Sequence, residues 1–192
     1  MTDESDAALM TRAAQGDAGA AAELYRRHAT AVYRFVRAST GSESEAADVL
    51  QETFMTVLER RSGFDPKRGS CTAYLCGVAR HLVYRRFDQR CEPWPEIDEL
   101  AEESSALPAL PPPHDQFERA QALQRLQAAI RALPPHYRDV LILIELQEIS
   151  YADTASIVGI ELGTVRSRLA RARAKLAELL GVSIASTDGQ VR

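Results

Sequence analysis

The sequence predicts an all-α protein, in which two small helical domains are joined by an extended acidic linker. Three observations predict it. Apolar residues recur at helical spacing through residues 18–92 and 115–181, and no segment shows the strict alternation of a half-buried strand. Between these stretches, residues 93–114 hold six of the nine prolines (Pro93, Pro95, Pro108, Pro111, Pro112 and Pro113) and five acids, with no Lys or Arg. The run from Gly163 to Leu176, GTVRSRLARARAKL, carries Arg166, Arg168, Arg171, Arg173 and Lys175 and no acid, although the 192-residue chain has formal net charge −4.

Charge follows the same division. Residues 1–92 balance 13 cations against 13 acids, and residues 115–181 hold nine cations and eight acids. The overall acidity therefore comes from the linker and says nothing against nucleic-acid binding elsewhere. Prolines deny the linker backbone donors, and like charges extend it. At about 3.3 Å per residue it spans at most ~70 Å, so two domains can engage separated sites on one large partner. The longest aliphatic run, Val140 to Ile144, is far too short to cross a membrane. The opening MTDESDAALM lacks the basic-then-apolar order of a signal peptide, which predicts a cytoplasmic protein. The polar end, residues 182–192, predicts a disordered tail and no further domain. Cys71, Cys76 and Cys91 are odd in number, form no CxxC pair and match no zinc spacing. They are expected to be reduced thiols, a thiol sensor being the alternative, and no metal or cofactor is expected.

In the first domain, Ala18 to Ala38 sets Ala22, Leu24, Tyr25, Val32, Phe35 and Val36 at near-helical spacing, and Gly41 stops the helix. Ser42 to Glu45 reads as a capping box, the hydroxyl taking the Glu45 amide and Glu45 reaching back. The next helix runs to about Arg61 and buries Ala46, Val49, Leu50, Phe54, Val57 and Leu58. SGFDPKRGS, Ser62 to Ser70, is a loop by its Gly and Pro content. A third helix from Thr72 to Arg90 has Tyr74, Leu75, Val78, Leu82 and Phe87 as its apolar members.

In the second domain, Gln116 to Leu133 is amphipathic through Leu123, Leu126, Ile130 and Leu133. Pro134-Pro135 ends it and opens a helix whose buried side is Tyr137, Val140, Leu141, Ile144 and Leu146. Two short helices follow, Tyr151 to Val158 and Thr164 to Leu180, with Ser150 as a cap and Gly159 in the turn. Two short helices on a tight glycine turn form a helix-turn-helix, with Ala155 at the crossing and Val158, Ile160 and Val165 packing the pair. The alternative is an ordinary helical hairpin with a solvated basic face.

A helical wheel at about 100° per residue decides how the last helix is used. Val165, Leu169, Ala172, Leu176, Leu179 and Leu180 form one apolar stripe. The opposite face carries Ser167, Ala170 and Ala174, with Arg171 at its margin. Arg166 and Arg173 flank the stripe on one edge, Arg168 and Lys175 on the other. Small residues let a helix backbone enter a groove, and flanking cations reach phosphates and guanine edges. A generic surface helix would intersperse Glu for i,i+4 pairing, and none occurs before Glu178. The helix is expected to enter the DNA major groove.

GTVRSRLARARAKL, preceded by LPPHYRDVLILIELQEISYADTASIVGIEL, resembles region 4 of the extracytoplasmic-function (ECF) class of the bacterial sigma-70 family. AADVLQETFMTVLERRSGFDPKRGSCTAYLCGVARHLVYRR is similar to region 2 of the same class. The resemblance covers about residues 5–180. It implies a sigma factor that binds core RNA polymerase and directs it to promoters, and not an enzyme. Residues 1–92 would be region 2, which binds polymerase and reads and melts the −10 element. Residues 115–181 would be region 4, which reads the −35 element as duplex, and the linker would thread through polymerase toward the active-site and RNA-exit path. An anti-sigma factor is the implied controlling partner.

By motif, the resemblance gives Asp48, Gln51, Glu52 and Phe54, in DVLQETF, the contact to polymerase. It gives Lys67, Arg68, Tyr74, Arg80, His81 and Arg85 the −10 contact, where an aromatic among cations suits single-stranded bases. Thr164, Arg166, Ser167, Arg171 and Arg173 receive −35 recognition, on the face the wheel also selects. The chain departs from the family where Tyr74 replaces a frequent Trp, His81 an Asn and Arg85 an Asp, which leaves the −10 base preference open. Thr154 stands where an aliphatic is usual, and either lowers stability or bonds back to the backbone. A conventional helix-turn-helix regulator, binding duplex operators alone as a dimer, is the rival reading, and the region 2 motif argues against it. No HExxH, nucleophile elbow or P-loop supports an enzyme.

The linker's acidity suits a channel that also passes polyanionic RNA. Replacing Glu96, Asp98, Glu99, Glu102 and Glu103 with Ser or Gln is expected to change the abortive products of initiation, and an unchanged pattern would remove that role.

Overall fold

The structure, a computed structural model, describes residues 4–59, 64–87 and 116–181. The linker, Cys91 and the tail beyond Gly181 lie outside the described residues. Every regular element among those described is helical.

Ser5 accepts the Ala8 amide and starts α1 (Asp6–Ala14), which buries Leu9 and Ala13. The sequence reading passed over this helix because two apolar positions on nine residues carry little periodicity. Asp17 accepts the Gly19 and Ala20 amides at the start of α2 (Ala18–Thr40) and pairs with Arg12 of α1. Gly41, at φ 80°, ends α2 as expected. In α3 (Glu43–Glu59) the Glu45 amide donates to the Ser42 hydroxyl at 3.3 Å. The Ser42 amide, however, donates to Thr40 Oγ1, so that side of the expected box is closed by a threonine. A 3-10 turn, Pro66–Arg68, leads to α4 (Cys71–Phe87). Helices α1, α3 and α4 all pack against α2.

The second half comprises α5 (Gln116–Ala132), α6 (Pro135–Leu141), a π-helical turn (Ile142–Leu146), α7 (Tyr151–Val158) and α8 (Leu162–Leu179). Val140, Val165 and Leu169 make a small core between α6 and α8. Ser150 caps α7 through the Asp153 amide at 3.0 Å, and Gly159 turns the chain at φ 76°.

Several expected core positions are corrected. On α2, Ala20 and His28 are buried, whereas Ala22 and Tyr25 face outward. Leu123 is exposed on α5. The i→i+5 pattern after Leu141 changes the helical phase, so Ile142 and Leu143 are buried and Leu146 is exposed. Leu179, placed on the α8 stripe, is exposed, and Ala177 is buried in addition.

The two halves are packed together. Helix α2 lies against α5 and the π turn, α4 lies against α7, and one apolar core runs through both halves. Among the described residues no helix is long and apolar enough to cross a membrane.

Thr154 is fully buried, and its Oγ1 has no hydrogen-bond partner, so of the two alternatives the bond back to the backbone is not made and the cost to stability stands. An unpaired buried hydroxyl costs about 1–3 kcal/mol. Thr154→Val, which keeps the shape, is expected to raise unfolding free energy by about 1–2 kcal/mol in a urea titration.

Candidate nucleic-acid interface

Helix α8 is anchored by Val165, Leu169, Ala172, Leu176 and Ala177. That anchoring turns Arg166 and Ala174 fully outward and leaves Thr164, Ser167, Ala170 and Arg171 half-exposed beside them. These residues form one ridge, small in the middle and cationic at its margin. The Ser167 hydroxyl donates to the Thr164 carbonyl at 3.1 Å. Arg173 is different. Its Nε donates to Glu145 Oε1 at 3.0 Å, and its side chain is 19% exposed. It braces α8 against the π turn and does not stand on the exposed ridge. The acid that the wheel did not find on α8 is supplied from another element.

The second candidate surface is α4 with the turn before it. Lys67, Arg68, His81 and Arg85 are exposed, and Tyr74 is half-buried with its ring 5.7 Å from that of Phe64. Arg68, Tyr74, His81 and Arg85 line one groove of about 400 Å³, so four of the six expected −10 residues are brought together. The opposite wall is Asp153, Ser156 and Ile157 of α7.

Arg80 is turned away from this groove. Its Nε donates to Asp139 Oδ2 at 2.6 Å, and its guanidinium lies 4.6 Å over the Tyr84 ring. The Tyr84 hydroxyl donates to the same carboxylate oxygen at 2.8 Å. Asp139, on α6, is 4% exposed. Burial works to lower the Arg80 pKa, but the Asp139 charge and hydrogen bond outweigh it and raise the value. Burial first, then Asp139, also raises the Tyr84 phenol. Sequence reasoning placed Arg80 with DNA and missed Asp139 and Tyr84. The available signal was an acid at the head of the apolar run Val140 to Ile144.

On α3, Asp48 and Gln51 are exposed, and half-buried Glu52 pairs with Arg85 and with Arg86 Nη2, the latter at 2.5 Å. Met55, 52% exposed, stands in the same hollow as Asp48, Gln51 and Glu52. Phe54 is 7% exposed, with its ring 4.9 Å from Tyr25, so it supports this face from within. Met55 was missed by sequence reasoning; its position four residues after Gln51 puts it on the polar face.

One cluster has the composition of a metal site: ligand atoms of Asp6, His28 and Cys71 lie within 4.8 Å of one another. Asp6 and His28 are already engaged. Asp6 accepts from Arg27 at 3.0 Å, and His28 Nδ1 lies 3.1 Å from Thr72 Oγ1. His28 Nε2 is 3.1 Å from Asp6 Oδ2, an electrostatic contact out of line for a hydrogen bond. Burial pushes the Cys71 and Cys76 thiols up to about 12, which makes them poor nucleophiles. The cluster fastens α1 to α2 and α4.

Residues 24–91 match sigma-70 region 2, and residues 123–176 match sigma-70 region 4. The ECF RNA polymerase sigma factor SigM of Mycobacterium tuberculosis is 30% identical over 179 residues, covering 93% of this chain and 86% of SigM. The chain belongs to the ECF class of sigma-70 factors. The ECF sigma factor SigE of Mycolicibacterium smegmatis is 34% identical over 163 residues, which is 82% of this chain and 60% of SigE. Two solved structures share the fold. CnrH in complex with the cytosolic domain of CnrY is 26% identical, with TM-score 0.67 over 93% of this chain and 98% of CnrH. RpoE of Bartonella quintana, in complex with the anti-sigma factor NepR, is 28% identical, with TM-score 0.62 over 83% of this chain and 95% of RpoE.

Met55 and Phe54 stand apart on α3, the first exposed and the second buried. Met55→Lys is expected to weaken core polymerase binding about 10-fold, a loss of about 1.4 kcal/mol, with unchanged unfolding. Phe54→Ala is expected to cost about 3–5 kcal/mol of stability. Fluorescence titration with core enzyme and urea unfolding, run on both variants, check the contrast.

Proposed function

We propose that this sigma factor recruits core RNA polymerase through the α3 face of Asp48, Gln51, Glu52 and Met55 and selects promoters with two DNA-reading surfaces. Residues 1–92 bind polymerase and open and read the −10 element, with Arg68, Tyr74, His81 and Arg85 around one groove and Lys67 exposed on the turn before α4. Residues 115–181 read duplex −35 DNA with the α8 ridge, on which Arg166 and Arg171 reach phosphates or guanine edges while Ala170 and Ala174 admit the backbone. Residues 93–114 tether the two units, and residues 182–192 form a tail. The site of action is the cytoplasm, where polymerase works.

The observation that carries this reading is the ridge on α8: small residues flanked by cations and held outward by a buried stripe. The groove between α4 and α7 adds an aromatic beside cations, the chemistry that stacks unpaired bases. An anti-sigma factor is the proposed regulator, supported by the likeness to RpoE, whose structure contains NepR.

Run-off transcription from a promoter library with purified core enzyme tests the function. Specific start sites are expected only when the sigma factor is added. Arg171→Ala is expected to weaken transcription from those sites and to relax preference in the −35 element by about 1–3 kcal/mol at one base pair. Duplex footprints by the protein alone, without polymerase-dependent starts, would overturn the proposal.

A further inference from the structure

We propose that the first half of this sigma factor binds a zinc ion between α1, α2 and α4, with Asp6, His28 and Cys71 as its protein ligands. The site stands apart from the promoter and polymerase surfaces: none of the three residues lines the α4 groove or the α3 hollow.

Asp6 opens α1, His28 lies within α2 and Cys71 opens α4. No zinc spacing shows in the sequence because each ligand comes from a different helix and the three meet only in the folded bundle. One ligand atom from each lies within 4.8 Å of the other two. Tetrahedral zinc, with bonds of about 2.0–2.3 Å, holds its ligands ~3.3–3.7 Å apart, so modest side-chain rotation closes the set. Sulfur, imidazole nitrogen and carboxylate oxygen together suit a borderline-soft divalent ion, whereas magnesium and calcium take oxygen alone.

His28 points to a ligand on its own account. It is 8% exposed, and its Nε2 is buried without a hydrogen-bond partner. Its Nδ1 lies 3.1 Å from Thr72 Oγ1 and carries the ring proton when it donates there. Nε2 is then a bare lone pair, 3.1 Å from the carboxylate oxygen Asp6 Oδ2. Two electron-rich atoms so close call for a cation. A proton on Nε2 serves poorly, because the contact is out of line for a hydrogen bond. A metal ion beside both atoms needs no such alignment and takes up the Cys71 sulfur as well.

The surroundings suit a ligated ion. Arg27 Nη1 donates to Asp6 Oδ1 at 3.0 Å and so fixes the carboxylate from behind, while Thr72 orients the imidazole. Arg27 is itself paired with Glu23 at 2.7 Å, which offsets its charge beside the ion. Burial keeps the Cys71 thiol protonated, and a doubly charged ion removes that proton on binding. The Asp6 side chain, 29% exposed, gives the ion a way in, and a water would complete four-coordination. The metal bonds would reinforce the seat of α1, which otherwise rests on Leu9, Ala13 and the ion pairs of Arg12 and Arg27.

Cobalt(II) reports such a site without an activity assay, because a cobalt–thiolate bond gives a charge-transfer absorption that oxygen and nitrogen ligands lack. The reduced full-length chain, freed of metal with a chelator, is titrated with cobalt and then with zinc. One equivalent of cobalt is expected to produce the thiolate band, and zinc is expected to abolish it and to raise the urea midpoint of the chain. Cys71→Ala is expected to lose the band. Asp6→Asn, which keeps an acceptor for Arg27, is expected to bind cobalt about 100-fold more weakly. Cys76→Ala and Cys91→Ser are expected to keep the band. A wild-type chain without a thiolate band, a band that survives Cys71→Ala, or an affinity unchanged by Asp6→Asn would overturn the site. If Cys71→Ala fails to fold, Asp6→Asn decides.

Discussion

A carboxylate that is 4% exposed sets the relation between the two halves of this molecule. An ionised acid at that depth is strongly unfavourable unless it is paired and hydrogen-bonded. Asp139 takes both its donors, Arg80 and Tyr84, from α4 in the other half. Removing one member of such a group typically costs about 3–5 kcal/mol, because the remaining charge is left buried. The same group adds little net stability compared with an apolar contact of equal volume. Its main effect is therefore on register. With Arg80 and Tyr84 on Asp139, α7 lies where Ile157 faces Gly77 and Asp153 faces Gly69.

The helical phases of α3 and most of α8 are legible in the sequence, because Ala46, Val49, Leu50, Phe54 and Val57, and then Val165, Leu169, Ala172 and Leu176, follow a three-and-four spacing that nothing perturbs. Legibility fails where the backbone leaves the ordinary helix. The π turn shifts phase after Leu141, and an even repeat carried through it assigns Leu146 to the core. It fails again for α1, whose Leu9 and Ala13 are too few to signal without the pairing of Arg12 with Asp17 and of Arg27 with Asp6.

The candidate site divides along another line. Residue type and spacing located both basic surfaces, but they could not separate the cations that face solvent from those held by a distant acid. Arg166 faces outward, while Arg173 and Arg80 are held by Glu145 and Asp139, 28 and 59 residues away in sequence. A helical wheel records what a helix offers, whereas the partner of each charge belongs to the tertiary fold. The same limit explains Phe54 and Met55. Both lie in one short motif, and only packing against Tyr25 shows that the aromatic ring supports the face while the thioether forms it.

The two faces of the first half share a residue. Glu52, on the α3 face with Asp48 and Met55, pairs with Arg85 and Arg86, and Arg85 also lines the groove on α4. The Arg85 side chain is 61% exposed, so its pairing lies in the range of about 0–1 kcal/mol that solvent-screened ion pairs occupy. An interaction that weak is readily exchanged. A partner that supplies a cation to Glu52 releases Arg85 toward the groove without large cost to the fold. Conversely, a phosphate that draws Arg85 away leaves Glu52 freer to meet a partner on the other side. The Arg80–Asp139 pair admits no such easy exchange, because the Asp139 side chain is 5% exposed and would be left buried without its partner. The surface pair therefore suits adjustment within one domain, and the buried pair fixes the register of α4 against α6.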